Sequence, residues 1–296
     1  MLLSCSRPGI AAVALVALFV AFCPAAGAQA PPTLSATPRT GSTCDLMSST
    51  LTCLGDLFHD QAGIWTAPAR LRGRKLVWLA PFAVATTLAL EYDAQAISAL
   101  GPGPTRISAS NGYTHLGSGY VLASTAGLTY LIGKLDHNER YRETGVLSLE
   151  ALADTGLVVQ GLKLATNRQR PYIGDGRGRF WPDDTDIYTT SGSFPSGHSA
   201  ASFAVVRVIV EETPGHPWLH LGLYGLATSV AVARVTGKNH FPADALVGSV
   251  IGYEIGGYVY HRRSAFYIPK AKFLGFDPSY NPATGSFGVS VALNPR

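Results

Sequence analysis

The chain has 296 residues, of which 47% are hydrophobic and 14% charged, and its formal net charge at pH 7 is +4. This length suits one large domain or two small ones. The small positive charge, without a basic tract or an aromatic platform, argues against a nucleic-acid partner.

The N-terminal residues 1–30 have the pattern of a secretory signal peptide, with Arg7, a short apolar core over 10–22 and a small-residue cleavage site near Ala30. Cleavage would leave Cys44 and Cys53 as the remaining cysteines. In an oxidising compartment we expect these two to form a disulfide, with two free thiols as the alternative. The sequence therefore predicts an exported, periplasmic protein.

Residues 31–74 are expected to contain a Pro-, Ser- and Thr-rich linker followed by an amphipathic helix over 45–66. That helix would pack on the core or lie on a membrane surface. From 75 to 264 the apolar periodicity predicts a helical core domain rich in small residues, which permit close helix contacts. We therefore predict an all-α six-helix bundle with segments at 75–92, 116–135, 146–166, 198–212, 217–235 and 243–262.

The tail over residues 265–296 has a different pattern. Phe287, Val289, Val291 and Leu293 alternate with small residues, which is the periodicity of a strand, and a turn-forming stretch over 281–285 precedes them. This predicts a short strand or hairpin, a β-like end to the otherwise helical chain.

The helical segments do not read clearly as membrane spans. Their apolar runs are about 15–17 residues long, whereas spanning a bilayer takes about 20. Several carry charge, as Glu150, Asp154 and Glu254 do. Moreover, if a cleaved signal left the N-terminus outside and all six segments spanned, the loops after the third and fifth would face the cytoplasm. We favour a compact exported domain associated with a membrane, with an integral membrane protein as the alternative.

The first of three polar motifs runs from Lys163 to Arg170 and Pro171. Lys163 and Arg170 are seven residues apart, about two helical turns, so a helix that Pro171 ends just past Arg170 would aim both the same way. A solvated basic helix end is the structural alternative.

The second motif is Pro195-Ser196-Gly197-His198, where a polar loop meets an apolar helix predicted to begin near Ser199. Free N–H groups at a helix N-terminus form a ready anion site. Ser196 can cap the helix, Gly197 allows a close approach, and His198 can transfer a proton near neutral pH.

The third motif joins Arg234, His240 and Asp244, with a helix predicted to begin near Pro242. Asp244 lies one turn beyond His240 and can accept the proton of one of its ring nitrogens. A lone His-x-x-x-Asp is more often an ordinary helix-end hydrogen bond.

Together these motifs, in this order and spacing, resemble the type 2 phosphatidic acid phosphatase superfamily, which also contains bacterial non-specific acid phosphatases and the vanadium haloperoxidases. The resemblance covers Lys163 to Asp244 directly. One departure is Ala233, where the family usually has a serine before the arginine of the third motif.

The resemblance implies a six-helix bundle of the acid phosphatase and haloperoxidase type and a phosphatase that acts through a phosphohistidine. His240 would be the nucleophile, His198 the acid and then the base, and Asp244 the group that orients His240. The residues that match phosphate-holding positions are Lys163, Arg170, Ser196, Gly197 and Arg234.

The leading hypothesis is a metal-independent phosphomonoesterase without a cofactor, acting on a lipid phosphate such as phosphatidate or on a small phosphate ester. A vanadium-dependent haloperoxidase is the first alternative, and vanadate would be its cofactor. The second is a non-catalytic membrane-associated protein with a relic phosphate pocket. The expected partners are the phosphate substrate and a membrane surface.

Overall fold

The computed structural model describes residues 50–67, 74–182, 191–267, 272–281 and 286–294, which are the described residues below. The predicted signal peptide and the Pro-rich linker lie outside them. Cys53 is disulfide-bonded, whereas its predicted partner Cys44 lies outside the described residues.

The main body of the described chain is all-α, as the sequence predicts. A short 3₁₀ helix over Thr114–Gly117 joins two of the α-helices. The α-helices are α1 (Thr50–Thr66), α2 (Arg74–Ala99), α3 (Pro104–Tyr113), α4 (Gly119–Leu135), α5 (Glu139–Thr166), α6 (Gly197–Glu212), α7 (Pro217–Thr236) and α8 (Pro242–Arg263).

Each of the six predicted core segments corresponds to a helix, but several bounds differ. Helix α5 begins at Glu139, seven residues before the predicted start, because Asn138 caps it by accepting a hydrogen bond from the Tyr141 N–H. Helix α3 was not predicted at all. Its residues are mostly polar and carry no apolar stripe, yet Pro104 occupies the first helical turn, where proline is favoured.

Helices α6 and α8 pack more extensively than any other helix pair of the described residues, and glycines of α8 make this packing close. A Cβ on Gly248 would lie 2.4 Å from the Ser196 carbonyl oxygen, and a Cβ on Gly252 would lie 1.9 Å from that of Ala200. Both spacings are four residues, so the helices run parallel with their backbones in contact. Their two N-termini therefore lie side by side.

The tail forms an antiparallel pair of strands, β1 (Lys272–Asn281) and β2 (Ser286–Asn294). Strand β2 contains the alternating residues that predicted it. Pairs such as Phe276 with Val291 and Tyr280 with Phe287 define the register. Contacts divide the chain into two compact units after Ala265.

Helix α5 is the one helix of the described residues whose length and composition would let it cross a membrane. More than half of its most apolar window, 56%, is buried within the protein. Helix α5 is therefore part of the core of the bundle, where it packs against α4 and α6.

Candidate functional site

The parallel N-termini of α6 and α8 bring the second and third motifs together. The Ser196 N–H donates to the Asp244 carbonyl oxygen over 2.9 Å. Ser196 caps α6, as predicted, because its Oγ accepts a hydrogen bond from the Ser199 N–H at 3.5 Å. Helix α6 begins at Gly197, so His198 lies in its first turn. The first N–H groups of α6 thus lie beside the start of α8, which favours a bound anion in front of α6.

The imidazole of His240 is almost completely buried immediately before α8. Its Nδ1 lies 2.7 Å from the Ser193 carbonyl oxygen, which can only accept a hydrogen bond. The ring therefore carries its proton on Nδ1 and leaves Nε2 with a free lone pair. Burial, against the opposing effect of Asp244, lowers the pKa of His240 to about 4, so the ring is neutral at pH 7.

Asp244 holds this arrangement less directly than the sequence predicts. Its Oδ2 lies 3.6 Å from Nδ1 of His240 and accepts hydrogen bonds from the Phe241 N–H at 2.8 Å and from the Ser193 hydroxyl. Burial opposes its ionisation, but the contacts with His240 and Arg168 prevail and lower the pKa of Asp244. The carboxylate is thus a buried anion beside the imidazole, and the Ser193 carbonyl oxygen accepts the hydrogen bond from the Nδ1–H.

The first motif reaches the site by a different route from the predicted one. Helix α5 ends at Thr166, and Asn167 follows in the left-handed conformation, so Lys163 lies on the last helical turn whereas Arg170 lies in the loop. The prediction of one continuous helix through both was wrong. The Arg170 side chain is held instead by the carbonyl oxygens of Ser191 at 2.8 Å and Asn239 at 3.4 Å.

Arg234, on the last turn of α7, completes a group of three cations with Lys163 and Arg170. Its Nη1 donates to the Thr114 hydroxyl at 3.2 Å, while its buried Nε has no hydrogen-bond partner among the described residues. Burial, together with the charges of Arg170 and Arg234, lowers the pKa of Lys163 to about 8. Three cations that repel one another in a buried place are stabilised by an anion among them.

His198 belongs to the same electrostatic group. Burial is the largest cause that lowers its pKa to about 3, and the charges of Arg234, His240 and Lys163 add to it. The structure therefore brings the residues of all three motifs together at the adjoining ends of four helices. The site contains two neutral imidazoles and three cations, and its electrostatics favour an anion with more than one negative charge.

A comparison with protein families agrees with this geometry. Residues 144–267 match the family model of the PAP2 superfamily, the type 2 phosphatidic acid phosphatases. We call this matched stretch, which is less than half of the chain, the PAP2 domain. The three motifs lie within it, and the preceding helices α1 to α4 lie outside it.

Relatives of the PAP2 domain have also been characterised. A lipid A 1-phosphatase of Porphyromonas gingivalis is 31% identical over 80 residues, which are 27% of this chain and only 17% of that protein. Two crystal structures match as well. Aquifex aeolicus LpxE has a TM-score of 0.42 and 23% identity, covering 56% of this chain and 93% of its own. A Bacillus subtilis phosphatidylglycerolphosphate phosphatase, described as transmembrane and of PAP2 type, has a TM-score of 0.45 and 19% identity, covering 72% and 94%.

Four residues around the site were not predicted from the sequence: Arg168, Ser193 and Thr114, which contact site residues, and Asp93, which contacts Arg168 and the Ala243 N–H. Arg168 and Ser193 are adjacent to the motifs, and the signal that was available is their position within or beside them. Asp93 and Thr114 lie before the PAP2 domain, at sequence separations of 150 and 120 residues from the groups they bind. No local sequence pattern predicts contacts over such separations.

Proposed function

We propose that this protein is a phosphatase that removes phosphate from a lipid phosphate monoester by way of a phosphohistidine at His240. The observation that carries the proposal is the convergence of two parallel helix N-termini, two imidazoles and three cations on one anion site. Membership of the PAP2 superfamily and the similarity to a lipid A 1-phosphatase support the same reaction class.

In the first step Nε2 of His240 attacks phosphorus, a nitrogen–phosphorus bond forms, and the bond from phosphorus to the leaving oxygen breaks. Protonated His198 gives its proton to that oxygen and releases the alcohol. The Nδ1 proton stays on His240, where the Ser193 carbonyl and the Asp244 carboxylate stabilise the positive ring. In the second step water attacks phosphorus, His198 takes the water's proton, the nitrogen–phosphorus bond breaks, and inorganic phosphate leaves with the lone pair of Nε2 restored to His240.

The cations fit the charge that this reaction develops. Lys163, Arg170 and Arg234 would hold the phosphoryl oxygens, and the Ser196 hydroxyl and the Gly197 N–H would complete the cradle. These groups supply the positive charge by themselves, so we propose a reaction that needs no metal ion. Before substrate binds, burial and the same cations keep His198 neutral. A phosphate dianion offsets them, so substrate binding raises the pKa of His198 and prepares it as the acid.

The proposed substrate class is lipid, since the helices expose large apolar side chains on several sides. Trp218 is 83% exposed, Leu135 77% and Phe58 75%. Such residues suit contact with a bilayer or with acyl chains. With the signal-peptide pattern at the N-terminus, they support an exported enzyme that works at a periplasmic membrane surface.

The direct test is phosphate release by the purified mature protein in detergent from phosphatidate, a lipid A phosphate, an isoprenoid pyrophosphate and a soluble ester. We expect turnover of at least one lipid phosphate, unchanged by EDTA and inhibited by orthovanadate. His240→Gln should lower kcat at least about 1000-fold, and the control His261→Gln, at the far end of the same helix, should retain it.

Quenched reactions should also contain a phosphoprotein that is labile in acid and stable in base, absent from His240→Gln. Full activity in that variant would exclude His240 as the nucleophile. Vanadate-dependent oxidation of bromide, in place of inhibition, would favour the haloperoxidase alternative instead.

A further inference from the structure

A buried ladder of charges lies behind His240, on the side away from the anion site. The guanidinium of Arg168 donates through Nη1 to Oδ1 of Asp244 at 2.6 Å and through Nη2 to Oδ2 of Asp93 at 2.8 Å. The side chains of all three residues are at most 2% exposed. One arginine therefore joins the carboxylate beside His240 to a second carboxylate from α2.

The position of Arg168 is defined by more than these two ion pairs. Its guanidinium lies between two aromatic rings, 4.4 Å from the centre of Phe241 and 4.8 Å from that of Phe180, and its Nε donates to the Gly178 carbonyl oxygen at 3.1 Å. A planar, forked cation can bind two carboxylates and stack between two rings at once, which the compact ammonium of lysine cannot do.

Asp93 holds both Arg168 and the start of helix α8. Its Oδ1 accepts the Ala243 N–H at 2.9 Å, while its Oδ2 binds Arg168. Ala243 lies in the first turn of α8, between His240 and Asp244 in the sequence. Asp93 thus fixes the backbone of that turn directly and the Asp244 carboxylate through Arg168.

The net charge of the ladder also favours the proposed reaction. Burial raises the pKa of Asp93, while the Ala243 N–H and Arg168 oppose that shift. With Asp93 and Asp244 both ionised and Arg168 positive, one net negative charge remains beside the imidazole. Phosphorylation of His240 makes its ring a cation, which this charge stabilises. Without Arg168, two buried carboxylates would repel each other and one would take up a proton.

We propose that Asp93 and Arg168 are positioning residues for His240, which hold the Asp244 carboxylate ionised and in place behind the nucleophile. Neither residue touches the substrate, and both act through Asp244. This inference rests on the proposed function for its kinetic consequences, whereas its geometric consequence can be measured without turnover.

The kinetic test compares two isosteric variants that each remove the charge of a buried, arginine-bound aspartate. Asp93→Asn breaks the ladder, whereas Asp60→Asn breaks the pair with Arg263 at the other end of α8. We expect Asp93→Asn to lower kcat about 10–100-fold, the range typical of partners that orient a reactive ligand, with KM changed less than twofold. Asp60→Asn should leave both constants unchanged at a temperature where each variant is folded.

Arg168 gives a second, independent measurement. Arg168→Ala leaves a flat space between two rings, and guanidinium ion at millimolar concentration should restore part of kcat, whereas the same concentration of sodium should not. Arg168→Lys should not recover wild-type kcat, because lysine lacks the fork. If Arg168→Ala does not fold, Asp93→Asn and Arg168→Lys carry the same comparison.

Proton NMR separates this inference from the proposed function. In wild type the Nδ1 proton of His240 should give a downfield signal protected from exchange by its hydrogen bond to Ser193, and Asp93→Asn should broaden or shift it while Asp60→Asn does not. A wild-type protein that hydrolyses no phosphate ester yet shows this pattern would end the proposed function and keep the positioning role. An unchanged signal in Asp93→Asn, or equal losses of kcat in both aspartate variants, would overturn the positioning role.

Discussion

At each end of helix α8 an arginine lies among carboxylates, but the hydrogen bonding of those carboxylates differs between the ends. At the N-terminal end every carboxylate oxygen of Asp93 and Asp244 accepts a hydrogen bond. At the C-terminal end Arg263 binds Asp60 at 2.6 Å, and its Nε lies 3.3 Å from Oε1 of Glu150. Among the described residues, however, the oxygens of Glu150 and Oδ2 of Asp154 have no hydrogen-bond partner.

This difference in hydrogen bonding affects which of the carboxylates are protonated near neutral pH. Burial raises the pKa of Glu150 to about 8 and that of Asp154 to about 7, so at pH 7 Glu150 is mostly protonated and Asp154 is about half protonated. Asp244, with its oxygens saturated by donors, has a lowered pKa and stays an anion. Burial opposes the charge at all four of these carboxylates, and their neighbours restore it to different degrees. The pKa of Asp93 stays raised although both of its oxygens accept hydrogen bonds, whereas at Asp244 the contacts with His240 and Arg168 prevail.

The largest expected effect comes from replacing one aspartate at each end of α8 with asparagine. Asp244→Asn should lower kcat by about 10³ to 10⁴, as for the aspartate of a serine-protease triad, because the cationic ring loses its counter-charge. Asp154→Asn should leave kcat unchanged, because asparagine resembles the protonated acid already present there. Phosphate release from a lipid phosphate measures both, and comparable losses of kcat in the two variants would contradict the distinction between the ends.

A second effect concerns the packing that aligns the N-terminal end. A Cβ on Gly252 would meet the Ala200 backbone at 1.9 Å, so Gly252→Ala should separate α6 from α8 and cost about 3 kcal/mol of stability. Gly222→Ala, on α7 with open space around it, should instead stabilise by about 0.5–1 kcal/mol. Thermal or urea unfolding measures the difference, and equal stability of the two variants would show that the helix contact is looser than described.

A third expected effect concerns the pH dependence of kcat/KM, which follows the titrating groups Lys163 and His240 and not the arginines, which stay charged. Burial and two neighbouring arginines lower the pKa of Lys163 to about 8, so kcat/KM should fall about fivefold between pH 8 and pH 9 as the ammonium loses its proton. On the acid side, kcat/KM should fall below about pH 4 as His240 becomes protonated. Lys163→Arg should remove the alkaline fall and keep the acid one. An alkaline limb that persists near pH 8 in this variant would assign it to another group.

The structure brings the motif residues together because their motifs lie at helix ends, and the sequence signals those ends. Ser196 caps α6, and Pro242 begins α8, and both are signals that act over a few residues. Arg170 was placed correctly in the site for the wrong reason, since the helix that was to carry it ends four residues earlier, at Thr166. A left-handed residue at Asn167 has no strong signature in sequence.

The ladder of Asp93, Arg168 and Asp244 was beyond prediction. It depends on contacts over 75 and 76 residues, which periodicity and capping do not encode. Arg168 looks like a solvated charge between two motif residues, and only the burial between Phe180 and Phe241 shows otherwise. Likewise, the glycines of α8 indicate close packing in general, but the choice of α6 as their partner is a property of the whole fold.

The smallest predicted effect tests the proton held at the C-terminal end. Folded Glu150 keeps its proton up to about pH 8, whereas the unfolded chain releases it near the ordinary value of 4.5. Its contribution is therefore complete below pH 4.5 and is lost as the pH rises, so the free energy of unfolding should fall by about 1 kcal/mol per pH unit between pH 5 and 8. Asp154 contributes to the same slope, so Glu150→Gln should lower it by about 1 kcal/mol per pH unit relative to wild type, whereas Glu254→Gln, exposed on α8, should preserve it. Urea unfolding at several pH values measures the slope, and a wild-type slope in Glu150→Gln would mean that Glu150 is ionised in the fold and that the two ends of α8 do not differ in this respect.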